Sequence, residues 1–161
     1  MIFVTGMSGT GKSAALAELA RRGHHVVDTD YGGFAEEVAD THGGWEHMWR
    51  EDRIAALLEA HEEDTLFLAG CVANQGRFYP RFDAVVLLSA PLEVMLERIA
   101  ARDANAFGKQ PRERERVVAD LQHVEPLLRE SATTEIDTRA SLGDVADQLE
   151  RIAAMYSSRH A

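Results

Sequence analysis

One short segment near the beginning of the chain has the residue types and spacing of a phosphate-binding loop. Gly6-Met7-Ser8-Gly9-Thr10-Gly11-Lys12-Ser13 fits the pattern G-x-x-x-x-G-K-[ST]. Glycines let the backbone wrap closely around phosphate groups, and the positive end of a following helix adds to the attraction. The pattern predicts that Lys12 reaches the β and γ phosphates and that Ser13 ligates Mg²⁺. The residues expected to contact the nucleotide here are Met7, Ser8, Gly9, Thr10, Gly11, Lys12, Ser13 and Ala14.

Two carboxylates follow the second predicted strand at alternate positions. They are Asp28 and Asp30 in Val26-Val27-Asp28-Thr29-Asp30. Strand alternation directs both side chains the same way, and α/β sheets bind ligands at the carboxyl ends of their strands. The pattern therefore predicts two acids beside the phosphate-binding loop, although a pair of solvated turn aspartates would have the same sequence.

The loop and the D-x-D segment together resemble the shikimate kinase and gluconate kinase branch of the nucleoside monophosphate kinase superfamily. The resemblance covers nearly the whole chain and implies a small-molecule kinase that uses ATP and Mg²⁺. It implies that Asp28 holds the metal through water. It also implies that Asp30 orients or deprotonates the acceptor hydroxyl.

Two arginines, Arg98 and Arg102, lie four residues apart on one face of a predicted helix. This stretch is similar to one in adenylate kinases, where one arginine packs on adenine and the next meets the transferring phosphate. The resemblance implies the first role for Arg98 and the second for Arg102, so that Lys12, Asp30 and Arg102 are the expected catalytic residues. A solvated helix face would also explain the pair.

An irregular segment at residues 103–112 fits a short lid that could close over ATP and exclude water. It contains Lys109, one of only two lysines among 17 basic residues. A compact ammonium and a wide guanidinium are not interchangeable, so we expect Lys109 to enter the closed site beside phosphate. Arg139, after the last predicted strand, completes the expected nucleotide contacts. A plain surface loop is the alternative to a lid.

The candidate acceptor residues also follow from the resemblance. Trp49-Arg50 is similar to the aromatic-arginine pair by which shikimate kinases bind a carboxylate, and Asp52-Arg53 to the Asp-Arg of gluconate kinases. Gly70 matches the first glycine of a shikimate kinase turn in which Cys71 and Val72 replace two further glycines. The implied acceptor-binding residues are Asp30, Arg50, Arg53 and Gly70, and the identity of the acceptor stays open.

The hydrophobic pattern predicts the elements that position these residues. Apolar and β-branched runs predict strands at 2–5, 25–28, 65–70, 84–88 and 134–137. Helical periodicity predicts helices at 12–22, 34–41, 45–62, 91–102, 112–130 and 142–155, with Pro126 kinking or dividing the fifth. This alternation predicts one α/β domain over residues 1–161 with the three-layer P-loop NTPase fold, a five-stranded parallel sheet between helices. Residues 31–63 are its predicted helical acceptor-binding segment.

Composition narrows the class of partner and the compartment. Asp and Glu outnumber Lys and Arg by 27 to 17, and the net charge of −10 opposes binding to a phosphate backbone. The single cysteine, Cys71, leaves no internal disulfide framework and favours a reducing cytoplasm. No apolar run of about 18 residues and no basic leader are found, so neither a membrane span nor a secretory signal is expected. We therefore expect a cytoplasmic protein that binds neither nucleic acid nor a membrane.

Two functions remain open from the sequence. The first is an ATP- and Mg²⁺-dependent kinase that phosphorylates a small hydroxylated metabolite or a nucleotide. The alternative is a nucleotide-binding P-loop ATPase that acts as a sensor or regulatory module and has no small-molecule acceptor. Asp30 separates the two, because a sensor does not need it.

Overall fold

In the computed structural model, which describes residues 1–41, 43–62, 65–103 and 107–157, a five-stranded parallel sheet lies at the centre. The strands of these ranges are β1 (Ile2–Thr5), β2 (His25–Asp28), β3 (Ala35–Ala39), β4 (Trp45–Trp49), β5 (Leu66–Ala69), β6 (Ala84–Ser89) and β7 (Thr134–Asp137). The sheet has the order β2-β5-β1-β6-β7, and all its neighbours are parallel. The phosphate-binding loop therefore leaves from the central strand.

Helices cover both faces of this sheet, which confirms the predicted three-layer α/β fold. Within the described residues they are α1 (Lys12–Arg21), α2 (Glu51–Glu59), α3 (Leu92–Ala101), α4 (Pro111–His123), α5 (Glu125–Ser131) and α6 (Leu142–Ser157). Val4 packs in one core with Leu19 of α1 and Leu149 of α6. Its neighbour Phe3 packs in a second core with Leu58 of α2. Adjacent residues of β1 thus face opposite layers, which explains why the central strands are apolar without alternation.

The segment at 31–63 differs from the prediction, because residues 34–41 are not helical and the next helix begins only at Glu51. Strands β3 and β4 instead form an antiparallel hairpin, and α2 follows it. The turn between the strands is closed by Asp40, whose N–H donates to the Gly44 carbonyl at 2.9 Å and whose Oδ1 accepts from Gly44 N–H at 2.8 Å. Gly43 has φ +83°, a conformation that favours glycine. Gly43 and Gly44 therefore belong to a hairpin turn between β3 and β4.

The other helices are close to their predicted positions. The helix predicted at 112–130 is divided into α4 and α5 at Val124, two residues before Pro126. A capping box formed by Gln110 and Glu113 begins α4. A 3₁₀ helix, Gln75–Arg81, was not predicted. No helix in the described ranges has the length and apolarity to cross a membrane.

Candidate active site

The phosphate-binding loop connects β1 to α1 and is stabilised by its own hydrogen bonds. Gly9 has φ +84°, and a Cβ there would lie 2.7 Å from the Met95 carbonyl oxygen, so glycine is required. The Thr10 hydroxyl donates to the Met7 carbonyl at 2.8 Å. Lys12 Nζ donates to the Gly6 carbonyl at 2.6 Å and to that of Met7 at 3.2 Å. The ammonium is thus held at the loop whose N–H groups would receive phosphate.

Ser13 and Asp28 come together at the predicted metal position. Ser13 Oγ donates to Asp28 Oδ2 at 2.7 Å, and Asp28 Oδ1 accepts from the Asp30 N–H at 3.1 Å. A hydroxyl and a carboxylate are oxygen ligands of the kind Mg²⁺ prefers. No group of three His, Cys, Asp or Glu side chains forms a metal site within the described residues. A Mg²⁺ ion held by this pair would take its other ligands from phosphate and water.

Arg98 and Thr138 link the end of β7 to the phosphate-binding loop. Arg98 donates from Nη1 to Thr138 Oγ1 at 2.8 Å and from Nη2 to the Thr138 carbonyl at 2.6 Å. Thr138 Oγ1 in turn donates to the Thr10 carbonyl at 2.8 Å. Thr138 is buried, with 6% of its surface exposed. Sequence reasoning missed it, although it follows a strand end just as the two aspartates do.

Arg102 lies between the phosphate-binding loop and the residues after α3. Its Nη2 donates to the Phe107 carbonyl at 2.7 Å and to Ser8 Oγ at 3.2 Å. Partial burial lowers the pKa of Arg102, and the nearby charges of Tyr31 and Asp30 act in the opposite direction. Arginine stays protonated under such a shift. The guanidinium is therefore a positive charge fixed beside the loop and in range of Asp30.

One cavity of about 1040 Å³ brings most of the predicted catalytic and nucleotide residues together. Its lining includes the phosphate-binding loop, Asp30, Arg98 and Arg102. On one side it continues to Thr138 and to Leu142 and Val145 of α6. Its further lining residues include Tyr31, Glu37, His47, Cys71, Arg116 and Asp120. The cavity therefore extends from the phosphate-binding loop to the hairpin and to α4.

Several predicted site residues lie outside the described lining of this cavity. Arg53 is exposed and donates to the carbonyls of Gly32 and Gly33 at 3.2 and 3.1 Å. Arg139 is exposed and pairs with Asp137. Gly70 is buried, and a Cβ there would meet the Thr29 hydroxyl. The predicted residues outside the lining are Thr10, Asp28, Arg50, Arg53, Gly70, Lys109 and Arg139.

Trp49 is buried in the core, whereas the resemblance implied that it lies beside a bound carboxylate. It is 2% exposed, and its Nε1 donates to the Thr29 hydroxyl at 2.8 Å. Asn74 exchanges two hydrogen bonds with its backbone, at 2.8 and 3.0 Å. Trp49 therefore anchors the hairpin to the core.

The predicted lid is only partly within the described residues. Residues 104–106 of the lid lie outside them. Lys109 is exposed, while Gly108 is buried and its N–H donates to Glu113 Oε2 at 3.0 Å. Phe107, just before it, lines the cavity.

Sequence reasoning missed the cavity residues of the hairpin and of α4. Glu37 Oε1 of β3 lies 2.8 Å from His47 Nδ1 of β4, within hydrogen-bond distance, and the pair lines the cavity. Arg116 and Asp120 are one turn apart on α4, with 3.9 Å between Nε and Oδ2. Reading 34–41 and 45–62 as helices concealed the first pair. The alternating residues of β4 could have indicated that His47 and Trp49 share a face.

Comparisons with known proteins agree with this architecture. A family model described as an AAA domain matches residues 2–119. No curated protein sequence matches the chain. The fold is similar to that of a shikimate kinase from Acinetobacter baumannii in complex with shikimate, with a TM-score of 0.63 and 22% identity over 98% of this chain and 93% of that one.

Two further solved structures have the same fold. A shikimate kinase from Bacteroides thetaiotaomicron has a TM-score of 0.62 and 17% identity, over 94% of this chain and 96% of that one. A sugar kinase from a Janibacter species has a TM-score of 0.54 and 18% identity, over 92% of this chain and 90% of that one. The predicted resemblance is therefore confirmed at the level of the fold.

Proposed function

The chain belongs to the AAA-domain family, and we propose that it is a kinase that transfers the γ-phosphoryl group of ATP, with Mg²⁺, to a small-molecule acceptor. The main support is the shared cavity, in which Asp30 stands beside a phosphate-binding loop and faces space that continues to the hairpin and α4. A nucleotide sensor needs the loop but has no need of a carboxylate in this position. A kinase needs both.

The size of the cavity supports two ligands. Its volume of about 1040 Å³ is at the upper end of the roughly 300–1,000 Å³ usual for one small molecule. Thr138, Leu142 and Val145 line the side toward α6, where we place the nucleoside. The opposite side, lined by the hairpin and α4, is then the acceptor side.

The proposed chemistry is mostly positioning and electrostatic stabilisation. Lys12, the loop N–H groups and Arg102 would bind the phosphate oxygens and stabilise the negative charge that develops during transfer. Ser13 and Asp28 would hold Mg²⁺, which neutralises charge on the β and γ phosphates. Lys12, Ser13, Asp28 and Arg102 are each held by a hydrogen bond within the protein.

Asp30 is the proposed acceptor-side catalytic residue. Its carboxylate would accept a hydrogen bond from the acceptor hydroxyl and align that oxygen with the γ phosphorus. As the new P–O bond forms, the bond to the β-phosphate oxygen breaks and ADP leaves, while the hydroxyl proton passes to Asp30. The Asp30 backbone N–H bond to Asp28 fixes the turn that presents the carboxylate.

The test measures ADP formation from ATP and Mg²⁺ with and without a panel of sugars, polyols, hydroxylated acids and nucleotides. At least one acceptor should raise ADP formation more than tenfold and give a phosphorylated product by mass spectrometry. Lys12→Ala should then lower kcat by about 100-fold or more, the usual effect of removing one such donor. ADP formation that no acceptor changes would identify an ATPase and refute the proposal.

Asp30→Asn separates the acceptor role from the nucleotide role. A neutral amide cannot accept the hydroxyl proton, so kcat should fall much more than the KM for ATP rises. Asp147→Asn is the matched control, because Asp147 is exposed on α6, pairs with Arg22 and is outside the described lining of the cavity. Equal damage to ATP binding in Asp30→Asn would assign Asp30 to the nucleotide side.

We also propose that the protein acts in the cytoplasm. The single cysteine agrees with a reducing compartment. Its thiol borders the cavity and is largely buried, and this burial raises its pKa. A protonated thiol at this position is unreactive.

A further inference from the structure

Building on the proposed kinase function, we propose that the acceptor is a hydroxylated molecule without negative charge, and that a protonated amino group on it improves binding. The inference concerns the acceptor side of the cavity. We call this surface the acceptor wall, formed by Asp30, Tyr31, Glu37, His47, Arg116 and Asp120.

Three carboxylates reach the acceptor wall from three separate elements. Asp30 follows β2, Glu37 lies on β3 and Asp120 lies on α4. All three line the cavity that also contains Lys12. Asp30 and Glu37 are close in sequence, but Asp120 is distant from both, so its approach to them is a property of the tertiary fold.

The charges felt by the Cys71 thiol locate two of these carboxylates near one point. Burial is the main cause of its raised pKa, and Lys12 acts against it. The charges of Asp30 and Asp120 both raise this pKa further, so both lie close enough to act on the same sulfur. Cys71 itself lines the cavity at the end of β5. Asp30, Cys71 and Asp120 therefore line one region of the cavity.

The positive side chains near this space either hydrogen-bond to the phosphate-binding loop and the Phe107 carbonyl or lie beside an acid of the acceptor wall. Lys12 and Arg102 donate to the phosphate-binding loop and to the Phe107 carbonyl. Arg116 is 3.9 Å from Asp120 and lies over the Phe107 ring at 6.0 Å. His47 faces Glu37 at 2.8 Å.

The resemblance implied that two arginines bind a carboxylate on the acceptor, but neither adds a positive charge to the acceptor wall. Arg50 and Arg53 are outside the described lining, and Arg53 already donates to two carbonyls. The acceptor wall thus has three acidic side chains against Arg116 and a histidine. A carboxylate or phosphate on the acceptor would meet repulsion there, whereas an ammonium would meet attraction.

The experiment uses acceptors that share a skeleton and differ in charge. Two series are suitable: glycerol, 2-amino-1,3-propanediol and glycerate; and glucose, glucosamine and glucuronate. In any series that raises ADP formation, kcat/KM should be highest for the amine and at least fivefold lower for the acid than for the neutral member. The preference for the amine should decrease at high ionic strength.

The outcomes distinguish this inference from the kinase proposal. An acid as the best member of a series overturns the inference and leaves the kinase proposal intact. No stimulation by any member of either series or of the wider acceptor panel overturns both. A stimulation that is strongest for the amine supports both. A stimulation that is strongest for the neutral member overturns the inference about the amino group and leaves the kinase proposal intact.

Variants of the acceptor wall provide the second measurement. Glu37→Gln and Asp120→Asn should each reduce the preference for the amine over the neutral member by about threefold to tenfold, mainly through the acceptor KM. Glu36→Gln is the matched control, because Glu36 is exposed on the opposite face of the same strand and outside the described lining. The inference would be overturned if Glu37→Gln and Asp120→Asn kept the same preference for the amine over the neutral member as Glu36→Gln.

Discussion

Replacing Thr138 by valine tests whether the contact between β7 and the phosphate-binding loop prepares the nucleotide site. Valine has nearly the same shape as threonine but lacks the hydroxyl. The change leaves the Thr10 carbonyl without the bond at 2.8 Å and Arg98 Nη1 without its bond at 2.8 Å. Arg98 keeps its bond from Nη2 to the Thr138 carbonyl.

The expected cost follows from these two bonds. A neutral hydrogen bond contributes roughly 0.5–1.5 kcal/mol and one to a charged group roughly 1.5–3 kcal/mol. Since Arg98 retains a second bond to the same residue, we expect the free energy of unfolding to fall by about 2 kcal/mol, near the lower limit of that sum. If the loosened loop also costs ATP binding about 1.4 kcal/mol of free energy, the Kd for ATP rises about tenfold.

Two assays separate a local effect on the nucleotide from a general loss of stability. Urea unfolding gives the free energy, and titration calorimetry with ATP gives the Kd. Thr29→Val is the matched control, because Thr29 is buried, donates to the Ala69 carbonyl at 2.8 Å and accepts from Trp49 at 2.8 Å. It should lose similar stability with little change in the Kd. An unchanged Kd in Thr138→Val would refute the proposed preparation of the loop.

Two other predictions concern the lid and the surface of α1. Lys109 is exposed and outside the described lining, and we propose that closure of the lid brings its ammonium beside phosphate. Lys109→Ala and Lys109→Arg should then both slow phosphoryl transfer several-fold, because neither side chain can replace a compact ammonium there. Wild-type rates for Lys109→Arg across ATP and acceptor titrations would contradict this. Hydrogen bonds from Arg21 and Arg22 lower the pKa of Glu18 from 4.5 to about 2, so the stability that this carboxylate contributes is present above pH 4.5 and is lost as the pH falls toward about 2. Urea midpoints over this range should therefore fall less steeply in Glu18→Gln than in the wild type, and equal slopes would contradict the assignment.

The parts of the fold that depend on local patterns could be predicted from the sequence. The strand before Gly6 and the helix after Gly11 follow from an apolar run, a glycine loop and helical periodicity over neighbouring residues. The same holds for the division of the helix near Pro126. The contact between Ser13 and Asp28 could be anticipated because both follow strands of one parallel sheet.

The features that the sequence did not predict depend on contacts between distant residues. The strand at Trp45–Trp49 is stabilised by Asn74, about 25 residues away, and by the facing strand. Without those partners the same residues fit the beginning of an amphipathic helix, since Trp45 and Trp49 are four residues apart and Ile54, Leu57 and Leu58 follow at helical spacing. Arg98 and Thr138 are 40 residues apart, and no local pattern joins them. In both cases, contacts between residues distant in sequence determine the structure, and the local pattern does not indicate them.

Under the proposed function, the hairpin of β3 and β4 separates acceptor recognition from phosphoryl transfer at one cavity. It stands outside the five-stranded sheet as a sheet of its own, and is joined to the core at a few points such as Trp49 and the bond from Ala73 N–H to the His47 carbonyl at 2.9 Å. Mutations at Glu37 or His47 can thus alter the acceptor wall without disturbing β1, α1 or the loop between them. If the proposed function holds, point changes in this hairpin can change the acceptor while the residues proposed for phosphoryl transfer stay the same. The hairpin is then the segment to exchange when a different acceptor is wanted.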